Sequence, residues 1–189
     1  MNAMVLEERP PSDRELVGLA RNGDSRAFGQ LVERHYDYVY RIAWRWAGNR
    51  SDAEDIAQDV CVRLGKSIRS FEGEGAFTTW LYAMTLNVAR DLKRKEKRDA
   101  LKTEAFGVHA LTSASMPHEE ASDDPAERLW ATVRLLPDKQ REAIMLVYGE
   151  ELSHAAAADV MGLAEATVSW HVHEAKKRLK ALTLSAEED

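Results

Sequence analysis

Apolar residues in this chain recur at three- and four-residue steps almost throughout, and no stretch alternates as a half-buried strand must. Phe28, Leu31, Val32, His35, Val39, Ile42 and Trp46 form one such series, a single apolar stripe along a long amphipathic helix. Val168, Val172, Ala175, Leu179 and Leu182 form another, at steps of four, three, four and three. A chain patterned this way buries its apolar side chains by packing helix on helix, so the expected fold class is all-α.

Punctuation divides the helices. Ser12 and Glu15 have capping-box spacing, and Asn22-Gly23 closes a short first helix. Gly48-Asn49 breaks the second, after which Ser51 and Glu54 repeat the capping-box spacing before Ile56, Val60 and Leu64. Beyond the loop Phe71–Phe77, a fourth helix carries Leu81, Met84, Val88 and Leu92, with Trp80 read as core. Periodicity fades from Asp99 to Asp124, where Thr112, Ser113, Ser115 and Pro117 predict a flexible linker. Asp124-Pro125 with Glu127 reads as an N-cap, a first-position proline and a capping acid. Pro137 opens the next helix, which ends near Gly149. Ser153 caps a short helix to Met161, with Gly162 as a left-handed stop. The expected organisation is a tail (1–11), a helical domain (12–98), a linker (99–124), a second helical domain (125–184) and a tail (185–189).

The formal net charge of −6 argues against nucleic-acid binding until its distribution is read. Arg90, Lys93, Arg94, Lys95, Lys97 and Arg98 form one basic cluster, and Lys176, Lys177, Arg178 and Lys180 a second. Acids gather elsewhere, at Asp52, Glu54, Asp55 and Asp59 and again at Glu119, Glu120, Asp123, Asp124 and Glu127. Patches of opposite sign imply separate partners, because local field governs polyanion binding. The segment before Pro11 holds Glu7, Glu8 and Arg9 and no apolar signal region. No run reaches the roughly 20 apolar residues of a membrane span. One cysteine, Cys61, excludes an internal disulfide and suits a reducing cytoplasm.

Near the C-terminus a short helix, a glycine turn and a longer striped helix make a helix-turn-helix pattern. Ala155–Ala158 are small enough for close crossing, and Val168 and Val172 anchor the second helix. Thr167, Ser169, Trp170, His173 and Glu174 then project outward, with Lys176, Lys177 and Arg178 placed for phosphates. A three-helix bundle with a solvated face gives the same pattern. Catalysis has little support: no Walker loop, nucleophile elbow or HExxH run is present. His171 and His173 point about 200° apart on a helix, so no metal site is expected, and no cofactor either. His35 falls on an apolar stripe as a satisfied, partly buried residue.

Three stretches in order resemble the extracytoplasmic-function (ECF) sigma factors of the sigma-70 family. Asp13–His35 is similar to their opening segment and SDAEDIAQDVCVRL (Ser51–Leu64) to their polymerase-binding helix. FEGEGAFTTWLYAMTLNVARDLKRKEKR (Phe71–Arg98) is similar to their promoter-melting segment. Leu136–Leu182, opening with LPDKQREAIMLVY and closing with ATVSWHVHEAKKRL, resembles their C-terminal DNA-binding domain.

The resemblance implies a non-enzymatic, cytoplasmic transcription-initiation factor of two small helical domains, sigma domain 2-like and sigma domain 4-like. Its implied partners are core RNA polymerase, promoter DNA and an anti-sigma factor that restrains it, as in stress responses. Core polymerase would meet Asp55, Gln58, Asp59 and Arg63. Minus-ten DNA would meet Phe71, Phe77, Tyr82, Asn87, Arg90, Lys93 and Arg94, combining stacking surfaces with positive charge. Minus-thirty-five DNA would meet Thr167, Ser169, Trp170, His173, Lys176 and Lys177. Relatives commonly place arginines on the outward face of that last helix, whereas this chain has Ser169, Trp170, His171, His173 and Glu174. A stand-alone helix-turn-helix regulator is the alternative, but it leaves Ser51–Arg98 without a purpose.

Overall fold

The computed structural model describes residues 9–73, 75–105 and 124–186. Among these, every regular element is helical. Glu74, the segment 106–123 and the two ends, with most of the expected linker and the acids Glu119, Glu120 and Asp123, lie outside the described residues.

The first unit comprises α1 (Asp13–Arg21), α2 (Ser25–Ala47), α3 (Arg50–Ser67) and α4 (Phe77–Ala105), with one 3-10 turn at Ile68–Ser70. The expected capping box at α1 is complete: the Ser12 hydroxyl accepts from Glu15 N, and Glu15 accepts from Ser12 N at 2.7 Å. The Ser12 hydroxyl also donates to the Glu15 carboxylate at 2.6 Å, and that bond, then the one from Ser12 N, holds the carboxyl below its ordinary value. Asp24 caps α2, and Gly48 ends it in the left-handed conformation at φ 77°. At α3 the cap is Asn49, not Ser51. The Asn49 side chain accepts from Asp52 N at 2.9 Å and donates to the Asp52 carboxylate at 2.7 Å. Asparagine caps as well as serine, so the helix starts before the serine.

Helix α4 runs on to Ala105, past Arg98, where the linker was expected to begin. Extending a formed helix needs no new nucleus, and Ala100, Leu101 and Lys102 are good helix formers. Residues 99–102 are exposed, so no apolar period marks this stretch.

The second unit comprises α5 (Pro125–Arg134), α6 (Asp138–Ile144), α7 (His154–Met161) and α8 (Glu165–Ala186). Asp124 caps α5 with Pro125 inside it, Ser153 caps α7, and Gly162 ends α7 left-handed at φ 62°. Helix α6 widens into one π turn, Met145–Gly149. Leu16, Leu31, Ile42, Ile56, Val60, Leu81 and Leu86 fill the first core, and Val133, Met145, Leu146, Ala157, Val168 and Val172 the second. Full burial of such a side chain contributes about 1.5–3 kcal/mol, enough to fix which face of each helix remains for a partner.

The two units touch through polar groups. Arg141 of α6, 4% exposed, lays its guanidinium 3.9 Å above the Trp46 ring of α2. Burial lowers its proton affinity, which Asp138 partly offsets. The Arg45 guanidinium stacks 4.5 Å from the Trp130 ring and donates to the Gly149 carbonyl at 3.2 Å. Tyr38 donates to Glu150 at 2.8 Å, and the Trp44 indole donates to Glu127 at 3.1 Å. Glu127 is therefore spent across this contact and on Arg134.

Candidate functional site

Three outward faces carry the residues singled out from the sequence. On α3 the apolar stripe turns inward, leaving Asp55 and Gln58 exposed and Asp59 half-buried. Arg63 is not free: it pairs with Asp59 at 2.9 Å and with Asp91 of α4 at 3.0 Å. The Asp91 bond holds it more firmly protonated, so it ties two helices together. The sequence reading missed Val62, which is 54% exposed. It follows Asp55, Gln58 and Asp59 at steps of seven, four and three, and so shares their face. An apolar side chain set among exposed polar ones on a rigid helix was the available signal.

The second face lies on the first half of α4 and the loop before it. Two expected DNA contacts are corrected here. Phe77 is 6% exposed and sits edge-on to His35 at 5.2 Å, while Tyr82 is 1% exposed. Both rings fill the core, because the apolar stripe that holds Leu81 and Leu86 also carries them. The Tyr82 hydroxyl has no partner among the described residues, and burial, then the charges of Glu150 and Glu142, pushes its phenol well above the usual range. Phe71 stays half-buried, packed 5.1 Å from the Trp80 ring, with an edge toward Phe77. Beyond them Asn87 is exposed and accepts from Arg90 at 3.1 Å.

The basic row is divided in its commitments. Arg94 is exposed and only loosely paired to Asp91 at 3.7 Å. Arg90 pairs with Glu142, and Lys93 with Asp138 at 2.7 Å, both acids belonging to α6. Burial favours the neutral form of Asp138, but the Lys93 bond and the charges of Lys93, Arg141 and Lys97 outweigh it and hold the carboxyl low. Glu142 is 1% exposed in mid-helix. The sequence signal for this contact was the run Gln140-Arg141-Glu142, three polar residues between Leu136 and Ile144, all of them buried.

The third face is the helix-turn-helix formed by α7, Gly162 and α8. Val168, Val172 and Ala175 are buried against α6 and α7. Thr167, Trp170 and His173 point outward three residues apart, and Trp170 is 56% exposed. Ser169 is half-buried and lies 2.7 Å from His154 Nδ1, so it locks α8 to the start of α7 instead of standing free. Lys176 is exposed and lies 4.9 Å from the Tyr148 ring, and Lys177 is exposed on the same helix. His171 is half-buried: its Nδ1 is buried with no partner among the described residues, and burial, then Lys139, lowers its proton affinity. Among the described residues no group of His, Cys, Asp and Glu is arranged to hold a metal, and no helix is long and apolar enough to cross a membrane. His35 Nε2 lies 2.9 Å from Asp13, whose other carboxylate oxygen takes Arg34.

Comparison with known proteins places family matches on both units. Sigma-70 region 2 matches residues 31–99, and Sigma-70 region 4 matches residues 126–179. The ECF RNA polymerase sigma factor SigW of Bacillus subtilis is 32% identical over 88% of this chain and 94% of its own length. Two solved structures share the arrangement. CnrH in complex with the cytosolic domain of CnrY has a TM-score of 0.66 and 28% identity, over 92% of this chain and 97% of that one. The sigma factor RpoE in complex with the anti-sigma factor NepR from Bartonella quintana has a TM-score of 0.66 and 26% identity, over 82% and 96%.

Proposed function

This chain belongs to the ECF RNA polymerase sigma factors, and from that premise we propose that it docks on core RNA polymerase, recognises minus-ten and minus-thirty-five promoter elements and promotes melting between them. The domains are assigned as 12–98 for polymerase and minus-ten contacts and 125–184 for minus-thirty-five contacts. Asp55, Gln58, Asp59 and the newly found Val62 form the polymerase face, with Arg63 holding it in place. An exposed apolar residue ringed by polar ones suits a steered, specific docking site. Asn87, Arg90, Lys93 and Arg94 supply the minus-ten strand with polar and positive contacts, and Phe71 offers the nearest aromatic surface. Thr167, Trp170 and His173 face the major groove, while Lys176 and Lys177 reach phosphates. One of its solved relatives is in complex with the cytosolic domain of CnrY and another with the anti-sigma factor NepR, and an anti-sigma factor is the proposed restraint here.

The observation that carries this reading is a polar, largely basic row on α4 (Asn87, Arg90, Lys93, Arg94) and a second on α8 (Thr167, Trp170, His173, Lys176, Lys177), on two separately matched helical units. A stand-alone regulator needs only the second. Run-off transcription with purified bacterial core polymerase, on fragments from the gene's own neighbourhood, tests it. Specific transcripts should appear only with the protein present. Gln58→Ala with Asp59→Ala should weaken competition for core without unfolding the chain. Absence of core binding by the unaltered protein leaves the stand-alone regulator as the better account.

A further inference from the structure

The acids of α6 lie where a nucleic-acid strand is expected to lie. Asp138 and Glu142 are four residues apart on one helix face, and Arg90 and Lys93 three apart on α4. The two pairs meet across the units, Glu142 on Arg90 and Asp138 on Lys93. Asp138 also has a local role, as a first-turn acid bonded to Arg141 at 2.9 Å. Glu142 has no such capping role. It is a buried mid-helix carboxylate, and its ion-pair partners are Arg90 and, at 3.5 Å, Lys139. A buried carboxylate is tolerated only with a cation beside it. With the units in contact Glu142 is buried between Arg90 of α4 and Lys139 of its own helix, so the contact is more than a meeting of two surface charges. Arg141 on Trp46 and Glu150 between Tyr38 and Arg45 continue the same contact.

We infer that Asp138 and Glu142 act as an internal stand-in for DNA phosphates, holding the free chain closed with Arg90 and Lys93 of its minus-ten row occupied. The inference rests on the sigma-factor reading of α4. Guanidinium and ammonium groups bind carboxylate and phosphate oxygens by the same charge-assisted bonds, so the two ligands exclude each other on Arg90 and Lys93. The contact blocks one face only. Thr167, Trp170 and His173 remain exposed in the closed form, so the helix-turn-helix stays open while Arg90 and Lys93 are engaged. Nucleic acid must displace α6 from α4 before Arg90 and Lys93 can engage, and the apparent affinity of the free chain is scaled down in proportion to the fraction of molecules that are open.

The test uses the unaltered full chain. Carbodiimide joins an amine to a carboxylate only where the two touch, and the Lys93–Asp138 pair is solvent-exposed and 2.7 Å apart. The Lys93–Asp138 crosslink should form in the free protein and disappear as a single-stranded DNA of about 20 nucleotides is titrated in. No crosslink in the free chain, or one that survives saturating DNA, overturns the inference. In parallel, Asp138→Asn with Glu150→Gln should tighten binding of the same strand, by about tenfold if roughly nine-tenths of free molecules are closed. The charge-matched control Glu33→Gln with Asp37→Asn, exposed positions on α2, should leave affinity within about twofold. Equal gains in both variants reduce the effect to net charge and overturn the inference. Core-dependent transcription is followed on the same preparations. Transcription without the crosslink removes the closed form and leaves the sigma reading standing, whereas failure to bind core removes both.

Discussion

In the ion pair between Arg90 and Glu142 the two partners differ in their access to water: the arginine side chain is 24% exposed, the glutamate 1%. Arg90→Ala strands a carboxylate whose remaining cation, Lys139, is 3.5 Å away and itself half exposed. An uncompensated buried charge costs about 3–5 kcal/mol, and with Lys139 retained the loss should be about 2–3 kcal/mol. Glu142→Gln instead leaves a guanidinium that can turn to solvent and an amide that still accepts a hydrogen bond, a loss of about 1 kcal/mol. Combining the two should therefore restore about 1–2 kcal/mol relative to Arg90→Ala alone, a coupling that a double-mutant cycle reads directly. Urea unfolding gives the totals, and Lys93–Asp138 crosslinking shows where the loss falls. If parting of the units lets Glu142 reach water, Arg90→Ala loses the crosslink before its unfolding midpoint moves much. Equal losses in the two single variants, or a double variant as poor as their sum, would refute the reasoning.

Gly48 ends α2 at φ 77°, and a Cβ there would lie 2.5 Å from Arg134 Nε. Gly48→Ala should lose about 1–2 kcal/mol by thermal unfolding, with Gly48→Asn recovering part of it because asparagine tolerates the left-handed region. Trp170→Ala should leave stability within about 0.5 kcal/mol, since the ring is more than half exposed, while weakening promoter binding by the second unit in a fluorescence titration. Ser153→Ala removes the hydroxyl that accepts from Ala156 N at 3.1 Å and should cost about 1 kcal/mol in urea. Burial first, and Glu150 second, hold the Tyr38 and Tyr82 phenols above their ordinary range. Both should therefore stay silent when tyrosinate absorbance rises near pH 10. Above that pH the unfolded chain releases protons that the native chain keeps. The stability these phenols contribute at lower pH is thus lost as pH climbs toward their native values.

The helices were legible because their signals are local. Ser12 with Glu15, Asp124-Pro125, Ser153 and Gly162 act within one turn, and the structure has each in the expected role. Asn49 shows the limit of that reading: Asn49 and Ser51, two positions apart, can both cap, and only the bond to Asp52 N decides between them. Tyr82 and Phe77 show another. An aromatic residue near a basic run suits a stacking platform as well as a core, and burial depends on how α4 is rotated against α2. Ser169 and His171 were read from their spacing on α8, but His154 and α6, outside that helix, turn one into a helix tie and leave the other half-buried.

The contact between the units was the least legible part, for a physical reason. Its members are polar residues that sequence patterning assigns to solvent or to a partner. A basic row states which sign of charge it seeks, and a carboxylate in the same chain meets that demand as well as a phosphate does. The net charge of −6 first counted against DNA binding. On the closed-state inference it is part of the device, because acids on the second unit neutralise cations on the first. Local concentration strengthens such an internal acid, since no partner has to be captured from solution. Length favours the DNA, which offers many phosphates and releases counterions along its whole contact. The two effects pull in opposite directions as salt rises. Added salt should weaken strand binding steeply, but should loosen the half-buried Arg90–Glu142 pair far less. The closed form should therefore dominate at high ionic strength and yield to DNA at low. A Lys93–Asp138 crosslink that fades with salt alone, without DNA, would show that exposed charges rather than the buried pair hold the units together.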